Sequence, residues 1–191
     1  PAGLTFRSVS ANGAVNGIRL TSTGSVGSLR VTGAGSTTQG GDGSGGTVQA
    51  TTGPGVLLAG TTAPAFNNLT IRDVPTAAGV RGSGVNGFSF TNGRVDGTGL
   101  SGSDPGSASI AFNTVASGAS NLAGAVTVGN SVLANAYGSG LDVYNEAGTI
   151  SSLTVTGNLV QSATSTAGST GNGVIVQALG SASTAAAVSG G

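Results

Sequence analysis

The densest chemistry in the chain lies in the run Leu-Asp-Val-Tyr-Asn-Glu, Leu141 to Glu146. In a β-strand successive side chains alternate between faces. With Leu141 and Val143 turned inward, Asp142, Tyr144 and Glu146 share the outer face if the strand runs that far. Two carboxylates and a phenol in a row are equipped to bind a sugar or hold one cation. The competing reading is a solvated strand face followed by a loop acid, the usual place for charge. Arg94 and Asp96 stand two apart on one face, either as an acid/base pair or as a weak surface ion pair. Arg72 and Asp73 are neighbours and, in a regular strand, point to opposite sides, with Asp73 at a corner. The run Gly40 to Gly46, GGDGSGG, carries one acid and occurs once, so it reads as a mobile loop and not as a calcium-binding repeat. Gly102 to Ser107, GSDPGS, reads as a plain turn. Asn68-Leu69-Thr70 matches a glycosylation sequon but sits inside a strand-like run.

Little other chemistry is available. There are six arginines, no lysine, no histidine and no cysteine among 191 residues, and the net charge is zero. The absence of cysteine excludes disulfides and thiolate metal sites, and no cofactor or metal is assigned. No basic patch points to nucleic acid. The longest apolar runs, such as Val56-Leu57-Leu58-Ala59, are far too short to span a bilayer. Charged residues make up only 6% of the chain, so solubility rests on Ser, Thr, Asn and Gln. With 37 glycines a flexible linker is the plain alternative. Two features oppose it: the hydropathy is on the apolar side, and the apolar residues fall in short alternating runs between Gly, Asn and Ser corners, a strand signature.

These runs repeat. A first phrase, glycine followed by apolar–x–apolar, occurs as GIRL at Gly17, GVLL at Gly55, GVRG at Gly79, GLDV at Gly140 and GVIV at Gly173, with SIAF at Ser109 as a variant. A second follows as SLRV at Ser28, NLTI at Asn68, GFSF at Gly87, AVTV at Ala125 and SLTV at Ser152, with GLTF at Gly3 from a coil cut at the start. A third, looser phrase is TVQA at Thr47, RVDG at Arg94, SVLA at Ser131 and NLVQ at Asn158. Three short strands and three corners make the unit, and coil starts are spaced by 24 to 38 residues because the loops vary. A single such coil cannot bury its apolar face. Stacked coils bury a continuous interior, which is the logic of a β-solenoid.

The stretch GFSFTNGRVDG, Gly87 to Gly97, tests this reading. Locally it looks like a hairpin with an Asn-Gly turn. The second run is too short to pair back, so Asn92 is better placed at a corner. Asn130 follows Val128 at the same offset, Asp73 follows Ile71, and Gly157 and Gly33 follow Val155 and Val31. Asn, Asp and Gly are the residues that enter the left-handed conformation readily. The outward columns of the first phrase read Arg19, Leu57, Arg81, Ala111, Asp142, Ile175 and Thr21, Ala59, Ser83, Asn113, Tyr144, Gln177. Phe6, Phe88, Phe90 and Phe112 fall at interior positions.

The phrases NLTI, FSFTNGRVDGTG and VTVGNSVLANAYGSGLDV resemble the right-handed parallel β-helix, the pectate-lyase-like solenoid. More narrowly they are similar to β-helical segments of large secreted bacterial repeat and adhesin-like proteins. Left-handed β-helices and autotransporter passengers are neighbours, but the strict six-residue period of the former is absent. The resemblance implies an all-β fold of about six to seven three-strand coils, one solenoid domain over residues 1–191, as a segment of a longer protein. It implies a secreted or cell-surface bacterial location. Family lyases need clustered acids with a basic residue, and inverting β-helical glycosidases need paired carboxylates. Neither outward column holds two acids on adjacent coils, so no catalytic residue is assigned. Three functions stay open: a stiff structural or adhesive rod displaying loops, a polysaccharide or cell-surface-glycan binder using Asp142, Tyr144 and Glu146, and a module that stacks end to end with itself. Whether the long loop from Gly33 to Gly46 is ordered is left open.

Overall fold

Short runs of Val, Ile, Leu and Phe, each closed by a residue that tolerates positive φ, wind the chain into a three-strand-per-coil parallel β-helix. The computed structural model describes residues 3–25, 27–100, 108–162 and 171–188. The turn expected at Gly102 to Ser107 lies outside the described residues. Coil 1 comprises β1 (Leu4–Phe6), β2 (Ala11–Asn12) and β3 (Ile18–Thr23). Coil 2 comprises β4 (Leu29–Val31), β5 (Thr47–Gln49) and β6 (Val56–Thr61). Coil 3 comprises β7 (Ala65–Asn67), β8 (Thr70–Val74) and β9 (Val80–Ser83). Coil 4 comprises β10 (Val85–Thr91), β11 (Arg94–Thr98) and β12 (Ile110–Phe112). Coil 5 comprises β13 (Leu122–Gly129), β14 (Val132–Ala136) and β15 (Leu141–Asn145). Coil 6 comprises β16 (Thr149–Thr156), β17 (Leu159–Ser162) and β18 (Val174–Ala178), and β19 (Ser183–Val188) begins coil 7.

Every third strand pairs in parallel, giving one sheet of seven strands, from β1 to β19, and two of six. We call them sheets A, B and C in the order a coil visits them. At a strand spacing of about 4.8 Å, seven strands span on the order of 30 Å. The register stacks like on like. Phe6, Val31, Phe66, Phe90, Val128 and Val155 form one interior column in sheet A. Val48, Ile71, Val95, Leu133 and Val160 form another in sheet B. Ile18, Val56, Val80, Ile110, Leu141 and Val174 form the third. Phe66, Phe90 and Phe112 are fully buried, each worth roughly 1.5–3 kcal/mol of transfer free energy. Phe88 bridges Phe66 and Phe112, with ring centroids 6.3 and 5.0 Å away.

The leading glycine of the first phrase has a packing cause. A Cβ on Gly79 would stand 2.3 Å from Val95 Cγ1, and one on Gly17 would stand 2.3 Å from Val48 Cγ1. Sheet C must start where the inward valines of sheet B already fill the interior.

Four expectations are corrected. The phrase NLTI belongs to sheet B, as β8, and the coil 3 member of sheet A is β7, Ala-Phe-Asn, whose Phe66 lies under Phe90. The residue that turns that corner is therefore Asn68 (φ 57°), in line with Gly33, Asn92, Asn130 and Gly157 (φ 62°, 51°, 50° and 62°). Asp73 (φ 55°) stands instead within sheet B, in a second left-handed column with Ala50, Gly97 and Asn135. Second, that left-handed residue resets the strand alternation, so Arg72 and Asp73 are both exposed and Arg72 Nη1 lies 3.3 Å from Asp73 Oδ2. Third, Phe6 is interior by register but 45% exposed, because coil 1 has a neighbouring coil on one side only among the described residues. Fourth, the glycine-rich run Gly40 to Gly46 is not a free loop. It is hydrogen-bonded along the outside of the A/B corner, as described below.

Candidate functional site

Leu141 and Val143 are fully buried, and Asp142 and Tyr144 face outward from β15, with Glu146 just past its end. Asp142 and Tyr144 share the outer face as expected; the strand stops at Asn145, and Glu146 joins them through the Tyr144 hydroxyl. Their hydrogen bonds show what occupies them. The Tyr144 hydroxyl donates to Glu146 Oε1. The Gly118 N–H donates to Glu146 Oε2 at 2.9 Å, and the Glu146 N–H reaches the Ala119 carbonyl at 2.8 Å. Asn113 Nδ2 donates to Asp142 Oδ2 at 2.8 Å. All of these partners outside β15 lie on the segment 113–121 that joins β12 to β13. The Tyr144 hydroxyl and the Gly118 N–H stabilise the ionised form and hold the Glu146 carboxyl below its ordinary value. The same bond, helped by burial, raises Tyr144 above the usual phenol value.

Two asparagines that the sequence reading did not single out complete the tether. Asn145 is buried and accepts from the N–H groups of Asn121 and Leu122 at 2.9 and 3.1 Å, while its Nδ2 donates to the Leu122 carbonyl at 2.7 Å. Asn121 Nδ2 donates to the carbonyls of Thr114 and Tyr144 at 2.9 and 2.6 Å. The signal available for Asn145 was two-residue alternation, which turns it inward with Leu141 and Val143; Asn121 lies outside the strand and had none. An inward asparagine must find backbone partners.

Arg94 and Asp96 are also hydrogen-bonded within the molecule. Arg94 Nη2 and Nε donate to Asp96 Oδ2 at 2.5 and 3.1 Å, and Asn135 Nδ2 donates to Asp96 Oδ1 at 2.7 Å. The outward column Arg19, Leu57, Arg81, Ala111, Asp142, Ile175 is in register as read, with a single acid. Among the described residues no group of three or more His, Cys, Asp or Glu is placed to hold a metal ion. Asn68 is fully buried, so its sequon is closed to glycosylation in the folded chain. No family model, curated protein or solved structure matches the chain.

The corner residues Asn92 and Asn130 form part of a ladder. Asn92 Nδ2 donates to Asn67 Oδ1 at 3.0 Å, and Asn130 Nδ2 donates to Asn92 Oδ1 at 2.7 Å. Asn68 Nδ2 joins at Asn67 Oδ1, 2.9 Å away. Gly157 continues the corner without an amide. On the outer face of sheet A lies a shallow groove of about 520 Å³ across coils 2 to 5. Ala63 and Gly87, both at positive φ, line it with little side-chain bulk. Asn86, Ser89 and Thr127 offer polar atoms, and the exposed Arg30 stands at one end.

Proposed function

We propose that this chain is a structural or adhesive segment of a secreted or cell-surface bacterial protein, a stiff rod whose purpose is to hold loops in place. The observation that carries the reading is the employment of the acids. Asp142, Glu146 and Asp96, the side chains best suited to chemistry, are each hydrogen-bonded within the molecule, and two of them tie a loop to the outer face of sheet C. The three interior columns, buried through coils 2 to 5, supply the stiffness, and the lack of cysteine suits passage across an envelope. The test is resistance of the folded chain to a nonspecific protease, with unfolding by denaturant read alongside. A rod survives as one protected core and unfolds cooperatively. Rapid digestion through the strands would end the proposal.

A second reading, polysaccharide binding, is favoured by the groove on sheet A more than by Asp142, Tyr144 and Glu146, which are already hydrogen-bonded within the molecule. Small floor residues suit the approach of a flat sugar ring, and Arg30 suits a carboxylate on it. A panel of neutral and acidic polysaccharides, scored for retention and cleavage, separates the readings. Retention that disappears with Arg30→Ala moves the assignment to a glycan-binding segment.

A further inference from the structure

In a solenoid each coil touches only its neighbours, so stability is close to a sum of nearest-neighbour terms and the ends can peel off one coil at a time. Residues 34–45 break that pattern. The segment leaves the A/B corner of coil 2, runs along the asparagine ladder and returns. Ser36 accepts from Asn68 Nδ2 at 3.1 Å in coil 3, and Thr37 accepts from Asn130 Nδ2 at 2.6 Å in coil 5. Gln39 Nε2 donates to the Gly157 carbonyl in coil 6 at 2.6 Å, 118 residues away. On the way back the Gly40 N–H donates to the Asn130 carbonyl at 3.0 Å and the Gly45 N–H to that of Asn68 at 3.0 Å. The base of the strap is closed by the Ala34 N–H on Ser44 Oγ at 2.7 Å. Gly41 lies so close to coil 4 that a Cβ there would sit 2.0 Å from the Asn92 carbonyl oxygen, at φ +69°.

We infer that this strap is a lock that closes last. Its partners Asn130 and Gly157 lie far along the chain, and they reach it only after coils 3 to 6 have stacked. Before then the strap has almost no apolar side chain with which to nucleate anything. Its contacts are therefore absent from the folding transition state and present in the native state. Interactions of that kind slow unfolding and leave folding unaltered. The strap converts coils 2 to 6 from a chain of separable layers into a unit that opens together. This inference does not depend on what the rod carries.

The test is a denaturant chevron on the whole chain and two variants. In the first, residues 35–43 are replaced by two glycines, which the contact of Ala34 with Ser44 permits. The second is Gly41→Ala with Gln39→Ala, which lifts the strap without shortening it. Neither variant removes a core side chain. Unfolding should accelerate by roughly 10- to 100-fold in the first, given several lost hydrogen bonds, and less in the second, with the folding rate within about two-fold of the parent. A parallel fall in the folding rate would place the strap in the nucleus and overturn the inference. Unchanged unfolding in both variants would show an inert loop and overturn it equally.

Discussion

Gly82 and Phe112 offer a test of the interior in which a mutation should change sign with its background. In the inward column of sheet C Gly82 pairs with Leu58 of coil 2, and its other neighbour is Phe112 of coil 4, which in turn pairs with Val143 of coil 5. The Phe112 ring tips over the glycine: a Cβ on Gly82 would fall 2.2 Å from Cε1, 2.5 Å from Cδ1 and 3.1 Å from Val85 Cγ2. Gly82→Ala alone overpacks this contact and should cost about 1–3 kcal/mol. Phe112→Ala alone removes a fully buried ring and its edge contact with Phe88, at about 3–5 kcal/mol. In the Phe112→Ala background the added methyl enters vacated space. It then gains about 0.8 kcal/mol of burial and about 0.5–1 kcal/mol from replacing a strand glycine. Gly82→Ala should therefore stabilise that variant by about 1–2 kcal/mol, and the coupling should be at least about 2 kcal/mol. Independent sites couple by no more than ~0.5 kcal/mol. Guanidinium unfolding of the four proteins, followed by circular dichroism, measures the cycle. Equal destabilisation by Gly82→Ala in both backgrounds would refute the steric account of why coil 3 carries glycine where coils 2 and 4 carry Leu58 and Phe112.

Three other outcomes are expected. Asn92→Gly keeps the left-handed corner and loses only the ladder amide, whereas Asn92→Val adds about 1–2 kcal/mol of backbone strain; melting temperatures should fall in the order parent, glycine, valine, and a valine variant equal to glycine would count against a strained corner. Glu146 is held below its ordinary value, so its tie to Gly118 is complete above the unfolded glutamate pKa and is lost as pH falls through the lowered folded value. The Gly118 amide resonance should follow that titration with a midpoint below an ordinary glutamate, and a midpoint at or above it would contradict the assigned hydrogen bonds. Arg94→Ala should cost no more than about 1 kcal/mol, since the two side chains of the pair are 43% and 23% exposed; a loss above about 2 kcal/mol in denaturant would show that the pair does more than decorate sheet B.

What the sequence disclosed, and what it hid, follows from the kind of interaction involved. The interior columns were legible because period-two alternation is written in side-chain identity: Val128 and Val155 sit over Phe90 as their phrases imply. Strand β7 was hidden because it is three residues long, follows Pro64 and runs into Asn67 and Asn68 without a visible break. NLTI, the alternating run that begins immediately after it, took its place. The opposite-facing assignment of Arg72 and Asp73 failed because alternation holds only while φ stays negative, and no rule of spacing announces a left-handed residue inside a strand. The face of Asp142 and Tyr144 was visible, with Asn113 in the neighbouring column, but the partners of Glu146 were not: Gly118 and Ala119 contribute backbone atoms, which carry no sequence signature. The same holds for the strap, whose composition is that of a linker and whose contacts are carbonyls, amides and three asparagines.

The ladder at the A/B corner has a further consequence. Parallel, in-register strands about 4.8 Å apart with stacked amides are also the geometry of amyloid, where each incoming chain presents the same amide again and the row has no natural end. Here the row runs from Asn67 and Asn68 through Asn92 to Asn130, and at the same corner the next coil on either side carries glycine, Gly33 and Gly157. Glycine keeps the left-handed turn but has no amide to pass on. The corner thus takes fibril geometry as far as one chain can use it and removes the group by which another copy would be recruited.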